Sequence, residues 1–210
     1  VIAAFTATAV TATQQDIIQQ LTKNNAVKFV QGFDTPNLRL AVKPKLNWKT
    51  PLFELLDDKE QYSGIVYCLS RKQTEEVAAF LQNKGYNSIA YHAGLDGKTR
   101  SKNQDLFMTE PCVIMAATIA FGMGIDKPDI RFVAHVSLPG SMEAYYQEIG
   151  RAGRDGEPAE TLLIYGLNDL FQRRRFIEDD GEDQGYKLRE HKRLDSLLAY
   201  CCLLYTTYVS

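Results

Sequence analysis

Short apolar segments without polar alternation, separated by amphipathic stretches, are the feature that most limits the fold of this 210-residue sequence. Examples are SGIVYCLS (63–70), CVIMAAT (112–118) and AETLLIYG (159–166). A strand that is apolar on both faces is buried on both faces, as in parallel sheets covered by helices. The intervening KQTEEVAAFLQNKG (72–85) has helical periodicity. The sequence therefore predicts a doubly wound α/β domain, a parallel sheet with helices on both faces.

The remaining segments follow the same alternation. Two further strands are predicted at 87–94 and 130–138, and 26–43 is predicted to be extended around a turn at 34–37. Helices are predicted at 14–21 after a cap-like Thr13, and at 46–58, 99–110, 141–154, 169–179 and 187–202. AFTATAV (4–10) is expected to end a buried strand, EDDGED (178–183) to be a solvated linker, and LLYTTYVS (203–210) to trail off.

Composition narrows the class of protein. Net charge is −2 and 45% of residues are hydrophobic, which fits one globular domain with an appendage. There is no apolar run of about 20 residues and no signal-peptide pattern, so we expect an intracellular protein without a membrane partner. The four cysteines show no disulfide or zinc spacing; Cys68 and Cys112 are expected to be buried and inert, and no metal site is predicted.

Three loops after predicted strands carry unusual chemistry. Ligands gather at the carboxyl ends of parallel strands. YCLSR (67–71) places a hydroxyl and a guanidinium at a helix start, where backbone N–H groups favour a phosphate, although for an isolated Ser70 a helix cap is the better interpretation. YHAGL (91–95) offers an imidazole beside a glycine, while a lone histidine is more often structural. TIAFGMGIDKPD (118–129) has two glycines but lacks the third glycine and the helix of a dinucleotide fingerprint.

The segment QEIGRAGRDG (147–156) is the hardest to explain as structure alone. Arg151 and Arg154 stand three apart on a predicted helix, so they are expected to share a face. The surrounding glycines weaken that helix and suit a backbone close to an anion. A guanidinium matches phosphate oxygens, and a solvated ion-pair face is the alternative. The chain contains no G-x-x-x-x-G-K-[ST] loop and no acidic Mg²⁺ motif, so the arginines are expected to act on a nucleotide bound elsewhere.

Several motifs together resemble the RecQ family of superfamily 2 DNA helicases. AFTATAV resembles motif III, GIVYCLSR motif IV, and YHAGLDGKTR the motif that follows. AFGMGIDKPDIRFVAH resembles motif V, and YYQEIGRAGRDG resembles motif VI, where DEAD-box RNA helicases usually have His-Arg in place of Gln147-Glu148. The resemblance runs from the first residue to about Tyr200. It implies a second RecA-like motor domain of an ATP-dependent 3′-to-5′ helicase, with roles in DNA repair and recombination.

The resemblance also implies roles for individual residues. Arg154 would be the arginine finger, with Arg151 and Gln147 at the phosphates and Gly124 and Asp126 at the nucleotide. Thr6 and Thr8 would couple ATP hydrolysis to movement along DNA. The residues expected to face the DNA backbone are Ser70, Arg71, His92, Gly94, Arg100 and Thr118.

The implied partners are ATP with Mg²⁺, held mainly by a missing first RecA-like domain, and single-stranded or partly duplex DNA. The location would be the cytoplasm or nucleoid of a bacterium, or the nucleus of a eukaryote. The predicted domains are 1–25, the end of the first motor domain and a connector; 26–177, the second motor domain; and 178–210, a linker and a truncated lead-in to a zinc module. Zinc is expected in the parent protein only.

Two departures and two alternatives accompany this interpretation. Gly140 stands where the family often has Lys or Arg, which puts one basic contact in doubt, and the cysteines that would complete a zinc module after Cys202 are missing. The alternatives are a non-catalytic nucleic-acid-binding module and a Rossmann-type enzyme built on Gly122 and Gly124. The isolated chain is expected to be inactive as an ATPase.

Overall fold

A computed structural model gives the fold of the chain. It describes residues 3–4, 11–22, 26–29, 35–122, 125–181 and 183–209, with backbone alone for 11–13, 22 and 205–209. The chain divides into two compact units, 1–36 and 37–210. In the first unit, α1 (Thr11–Thr22) is the predicted helix, but it begins before Thr13, so that residue is not its cap. The predicted strand within 4–10 lies outside the described residues, apart from Ala4.

The second unit is a parallel α/β sheet, as predicted. Its strands are β1 (Leu38–Pro44), β2 (Ser63–Tyr67), β3 (Ser88–Tyr91), β4 (Ile114–Ala117), β5 (Ile130–His135) and β6 (Ala159–Tyr165). They lie in the order β1-β6-β5-β2-β4-β3, and each adjacent pair is parallel. The helices are α2 (Lys49–Leu55), α3 (Arg71–Asn83), α4 (Gly97–Thr109), α5 (Met142–Ile149), α6 (Leu167–Asp179) and α7 (Gln184–Val209).

Helices cover both faces of the sheet. Successive residues of β2 show the alternation, because Ile65 and Tyr67 belong to one buried cluster and Val66 to the other. The first cluster joins the sheet to α4, α5 and α7, and the second joins it to α2 and α3. Residues of β2 are buried at every position, which explains the lack of polar alternation in the sequence.

The boundaries of several elements differ from the predictions. Helix α5 ends at Ile149, so Arg151 and Arg154 lie in a turn and do not share a helix face; Gly153 adopts φ 62°, which ends the helical path. Cys112 is half-buried with φ 59° in the turn before β4, whereas Cys68 is buried as expected. The linker shortens to 180–183, and α7 continues to Val209 where the chain was predicted to trail off.

Among the described residues, no helix combines the length and apolar character that a membrane crossing requires.

Candidate functional site

The carboxyl edge of the sheet gathers most of the predicted site residues. Six of them lie at or after the ends of the neighbouring strands β2, β4 and β3, and on the helices that follow: Ser70, Arg71, His92, Gly94, Arg100 and Thr118. The loop after β3 is tied to the loop after β4 because Thr118 N donates to Tyr91 O at 3.2 Å. The sheet topology therefore places these residues at one end of three adjacent strands.

Ser70 and Arg71 open helix α3. The Ser70 hydroxyl accepts a hydrogen bond from Gln73 N at 3.2 Å, so this residue does cap the helix. Its side chain remains exposed at the carboxyl edge. Arg71 extends across Gly94, where an added Cβ would lie 2.9 Å from Arg71 Cδ. The absence of a side chain at Gly94 thus allows Arg71 to cross the loop after β3.

His92 is buried and has partners on both ring nitrogens. Nδ1 accepts from Gly94 N at 3.2 Å, which leaves the ring proton on Nε2. That nitrogen lies 3.2 Å from Glu75 Oε1 on α3. The geometry favours a structural role for His92, which joins the loop of Gly94 to helix α3. Its contact with DNA stays a prediction.

Arg100 and Thr118 complete this group. The Nε atom of Arg100 is buried and has no hydrogen-bond partner among the described residues. The Thr118 hydroxyl accepts from Ala120 N at 3.4 Å, so its side chain shapes the start of the loop after β4.

An open groove of about 990 Å³ adjoins Ser70. Gln73 forms part of its wall and ties two strand ends together, because its Oε1 accepts from Leu69 N at 3.0 Å and from the Ser137 hydroxyl at 2.9 Å. Its apolar lining includes Leu46, Trp48, Leu167 and Phe176. Its charges are balanced, because the three basic lining residues each pair with an acidic one: Lys45 with Asp169, Lys72 with Glu76 and Arg175 with Asp179. Gln73 was not predicted as a site residue, since its role depends on a contact 64 residues away.

Arg154 contacts the loop after β4 directly. Its Nη1 donates to Asp126 Oδ1 at 2.7 Å and to Ile125 O at 3.0 Å, and its Nε donates to Gly150 O at 3.3 Å. The side chains of Arg154 and Asp126 are 37% and 86% exposed. The family resemblance predicted that both residues lie at the nucleotide, but it did not predict that they pair with each other.

Arg151 lies against the same loop. An added Cβ at Gly122 would be 2.8 Å from Arg151 Nη2, so the guanidinium occupies the space that a side chain would take. The Nε atom of Arg151 is buried without a hydrogen-bond partner in the described part of the chain. Gln147 is exposed on α5. Gly124, Thr6 and Thr8 lie outside the described residues.

Residues 150–155 form the turn that carries Arg151 and Arg154, and we call it the arginine turn. Two residues that the sequence analysis did not single out stabilise it. Asn37 Nδ2 donates to Gly153 O and to Glu157 O, both at 2.9 Å. Arg131 pairs with Asp155 and donates to Pro158 O at 3.4 Å. That pairing lowers the pKa of the Asp155 carboxyl. Both contacts span long stretches of sequence, so only the fold reveals them.

Gly140 lacks the basic side chain that the family often has at this position, but the side chain of Arg173 lies nearby. Arg173 Nη1 on α6 lies 3.9 Å from the position that a Cβ of Gly140 would take. Its Nε donates to Leu138 O at 2.7 Å, and burial lowers the pKa of the guanidinium. Positive charge is therefore present near Gly140, supplied from another element.

One of the sequence alternatives, the Rossmann-type enzyme, can be compared with this geometry. Among the described residues of 118–129 no helix follows Gly122, so a dinucleotide-binding turn is not formed there. No group of three His, Cys, Asp or Glu side chains able to hold a metal occurs in the described part of the chain.

Comparison with known proteins identifies relatives of this arrangement. Residues 47–156 match the family model described as "Helicase conserved C-terminal domain". The chain is 42% identical over 191 residues to an ATP-dependent DNA helicase RecQ from Haemophilus influenzae, covering 91% of this chain and 31% of that protein. It is 41% identical over 203 residues to the RecQ-like DNA helicase BLM from Xenopus laevis, covering 94% of this chain and 15% of that protein.

Solved structures share the fold. A DEAD box protein from Methanococcus jannaschii superposes with a TM-score of 0.54 and 29% identity, covering 68% of this chain and 39% of that chain. Domain 2 of the DEAD-box helicase Mss116p, solved bound to an RNA duplex, superposes with a TM-score of 0.55 over 75% of this chain and 69% of that chain; at 17% identity it supports the fold alone. The chain thus spans under a third of the length of the two helicases that it matches by sequence.

Proposed function

Because the chain belongs to the helicase conserved C-terminal domain family, as the second RecA-like motor domain of RecQ-type DNA helicases, we propose that it works as part of an ATP-dependent 3′-to-5′ DNA helicase. In this proposal it supplies an arginine finger and contacts to single-stranded DNA. The first motor domain is supplied by the rest of the parent protein, so the chain alone does not hydrolyse ATP.

One observation carries the proposal. The loop between β4 and β5 touches both groups of candidate residues. At its start, Thr118 is bonded to the strand end that precedes His92. Further along, Gly122 lies against Arg151, and Ile125 and Asp126 bind Arg154. A shift of this loop on the nucleotide side would therefore be transmitted to the DNA side, as a motor requires.

Arg154 is suited to the role of an arginine finger. Its present partner Asp126 is largely exposed, and an exposed ion pair contributes only about 0–1 kcal/mol. A polyphosphate offers more negative charge than one carboxylate, so it can compete for the guanidinium. Asp126 would then be free to lie near the nucleotide, with Gly124.

The residues of this chain fit a phosphate group. The space over Gly122 that admits the Arg151 guanidinium would be filled by a Cβ, and Gln147 is exposed one turn earlier on α5. ATP, held with Mg²⁺ mainly by the first motor domain, would supply the bond whose hydrolysis drives the cycle. Arg151, Arg154 and Gln147 would orient its phosphates and offset charge that develops there. Thr6 and Thr8 remain the proposed coupling residues.

The proposed DNA path crosses the carboxyl edge of the sheet. Ser70, Arg71, Gly94, Arg100 and Thr118 would face the backbone of the strand, with His92 beneath them. Cationic and hydroxyl side chains of this kind position a nucleic acid through its phosphates without reading its sequence.

The test is an ATPase assay of the chain with and without a separately supplied first motor domain, in the presence of single-stranded DNA. The chain alone should be inactive, and the mixture active. Arg154→Ala should lower the rate of the mixture by about 10³-fold, the magnitude typical of an arginine finger. The exposed Arg174 on α6 provides the control, since Arg174→Ala should leave the rate unchanged. Substantial activity from the chain alone would overturn the proposal.

The exposed Ser70 hydroxyl and the buried Arg100 Nε, which has no hydrogen-bond partner among the described residues, also favour a second candidate, a non-catalytic nucleic-acid-binding module. Binding of a single-stranded oligonucleotide should then weaken as salt rises, with a slope set by the number of phosphates contacted. Arg71→Ala should reduce that slope by about 0.7, the value for one phosphate of a single strand. Salt-dependent binding without ATPase activity in the mixture would favour this candidate over the motor.

A further inference from the structure

A buried polar cluster beside the arginine turn has no task in the function proposed above. It consists of Tyr67, His135 and Glu148. Tyr67 and His135 are the last residues of β2 and β5 and stand opposite each other in the sheet register. Their rings stack with centroids 5.1 Å apart and planes inclined by 23°. Both lie on the sheet face covered by α5, which carries Glu148.

The pair of His135 and Glu148 joins the sheet to this helix. His135 Nε2 lies 2.7 Å from Glu148 Oε2, and the two residues are only 1% and 8% exposed. A buried polar pair adds little stability compared with well-packed apolar residues, but it fixes one arrangement of the elements that carry it. Here it fixes the last turn of α5. The Glu148 carbonyl in that turn accepts from Arg151 N at 3.4 Å.

Tyr67 acts on the side chain of the same arginine. Its hydroxyl donates to Phe121 O at 3.2 Å, which anchors the loop on which the Arg151 guanidinium rests. Burial raises the pKa of this hydroxyl, so it remains protonated and keeps its donor. Gly122, next to Phe121, leaves the space into which the guanidinium fits. Arg151 is therefore held at its backbone by Glu148 O, and its guanidinium rests on the loop of Phe121 and Gly122 that Tyr67 anchors.

We propose that Tyr67 and the His135–Glu148 pair are positioning residues that hold Arg151 in its working orientation before the nucleotide arrives. This inference rests on the proposed role of Arg151 at the phosphates. An arginine side chain has many rotamers, and a group that is oriented in advance stabilises developing charge better than one that must reorganise.

The deciding experiment uses the 210-residue chain alone and does not depend on catalysis. The solvent-exchange rate of the Arg151 Nε–H proton is measured by NMR, with the signal assigned through its loss in Arg151→Lys. Tyr67→Phe removes only the hydroxyl and its bond to Phe121 O, so the loop beneath the guanidinium should open more often and expose the buried Nε–H. Exchange should become roughly fivefold to tenfold faster, the ratio that corresponds to that one hydrogen bond. Tyr145→Phe is the matched control, because that ring is equally buried and also touches His135. Equal exchange in wild type and Tyr67→Phe would overturn the inference.

A second pair of variants addresses the histidine and tests for loss of folding. Glu148→Gln keeps a carbonyl oxygen for His135 Nε2–H, whereas Glu148→Leu removes it at similar size. Exchange of the Arg151 proton should be slow in the first variant and fast in the second, with the backbone spectrum of the sheet retained in both. Fast exchange in both variants, or slow exchange in both, would contradict a positioning role for the pair.

The mixture with the first motor domain adds a kinetic readout. Tyr67→Phe should lower kcat several-fold and leave the KM for ATP unchanged. The control Tyr145→Phe should change neither kcat nor KM. If the wild-type mixture has no ATPase activity, the proposed function fails, while the exchange rates still decide whether Tyr67 orients Arg151. If the wild type is active and Tyr67→Phe matches it in both kcat and exchange rate, only the positioning inference fails.

Discussion

At the scale of single residues, two acidic side chains near the arginine turn differ chiefly in exposure. Asp126 pairs with Arg154 at the surface, and Glu148 pairs with His135 in the interior. We expect Asp126→Ala to change the free energy of unfolding by less than about 1 kcal/mol. Glu148→Ala should cost about 1–3 kcal/mol, because it leaves a buried imidazole N–H without its acceptor. Urea unfolding of both variants checks this; similar losses would contradict the assigned difference in burial.

The ion pair of Arg131 and Asp155 makes the arginine turn sensitive to acid. The hydrogen bond from Arg131 lowers the pKa of Asp155 in the folded protein. A carboxyl of this kind stabilises the fold above its unfolded pKa of about 3.9, and the contribution is lost as pH falls through the folded pKa.

Asp155→Asn should therefore lower the melting temperature at pH 7 and have a smaller effect as pH falls below about 4. Thermal unfolding of both proteins across this range provides the measurement. A difference in melting temperature that stays constant with pH would show that Asp155 acts through something other than its charge.

The candidate site also shows what sequence can predict at this scale. Residues recognised by a local motif, such as Ser70 and His92, do lie at the carboxyl edge of the sheet, and Arg154 contacts the loop after β4. Residues that act through distant contacts were missed. Asn37 meets Gly153 across 116 positions, and Tyr67 meets Phe121 across 54. Nothing in the sequence near Asn37 or Tyr67 indicates those partners, because the sheet order alone brings them together.

At the scale of elements, the contact of β2 with β5 depends on one glycine. A Cβ on Gly64 would lie 2.1 Å from Phe132 Cζ, and Phe132 is fully buried, so its ring has no free space to move into. Gly64→Ala should destabilise the protein by about 1–3 kcal/mol through overpacking.

The additional change Phe132→Leu should recover part of that loss, since it frees the space. Gly97→Ala at the start of α4 is the control: a Cβ there meets nothing within 4 Å, and no loss of stability is expected. Chemical denaturation compares the variants. Equal stability of Gly64→Ala and Gly97→Ala would contradict the close contact.

Strands buried on both faces were predicted well, and so was the edge strand β3, whereas β1 and the end of α5 were not. All five uninterrupted apolar segments became strands. The sixth strand, β1, is at the edge of the sheet and only partly buried, so polar and apolar residues alternate in its sequence. That alternation predicted an extended segment but did not indicate that it belongs to the sheet. Helix α5 was predicted five residues too long, because its apolar spacing continues into a turn whose backbone Gly153 and the contacts of Asn37 determine.

At the scale of the whole molecule, α7 belongs to the same compact unit as the sheet, although the sequence assigned residues 178–210 to a separate segment. Leu194, Leu197 and Cys201 are completely buried in the cluster shared with α5 and the sheet. Each fully buried leucine contributes about 1.5–3 kcal/mol, which is large beside the stability of about 5–15 kcal/mol of an ordinary domain. The motor domain should therefore not fold stably without this helix.

Two leucines of α7 test this dependence without removing the helix. Leu194→Ala should cost about 2–5 kcal/mol, since it leaves a cavity in the core. Leu188→Ala, six residues earlier on the same helix, should change stability by less than about 0.5 kcal/mol because Leu188 is 57% exposed. Because both variants alter helix propensity equally, the difference between them measures packing of α7 on the sheet. If urea unfolding shows equal midpoints for the two, α7 is not a structural part of the motor domain.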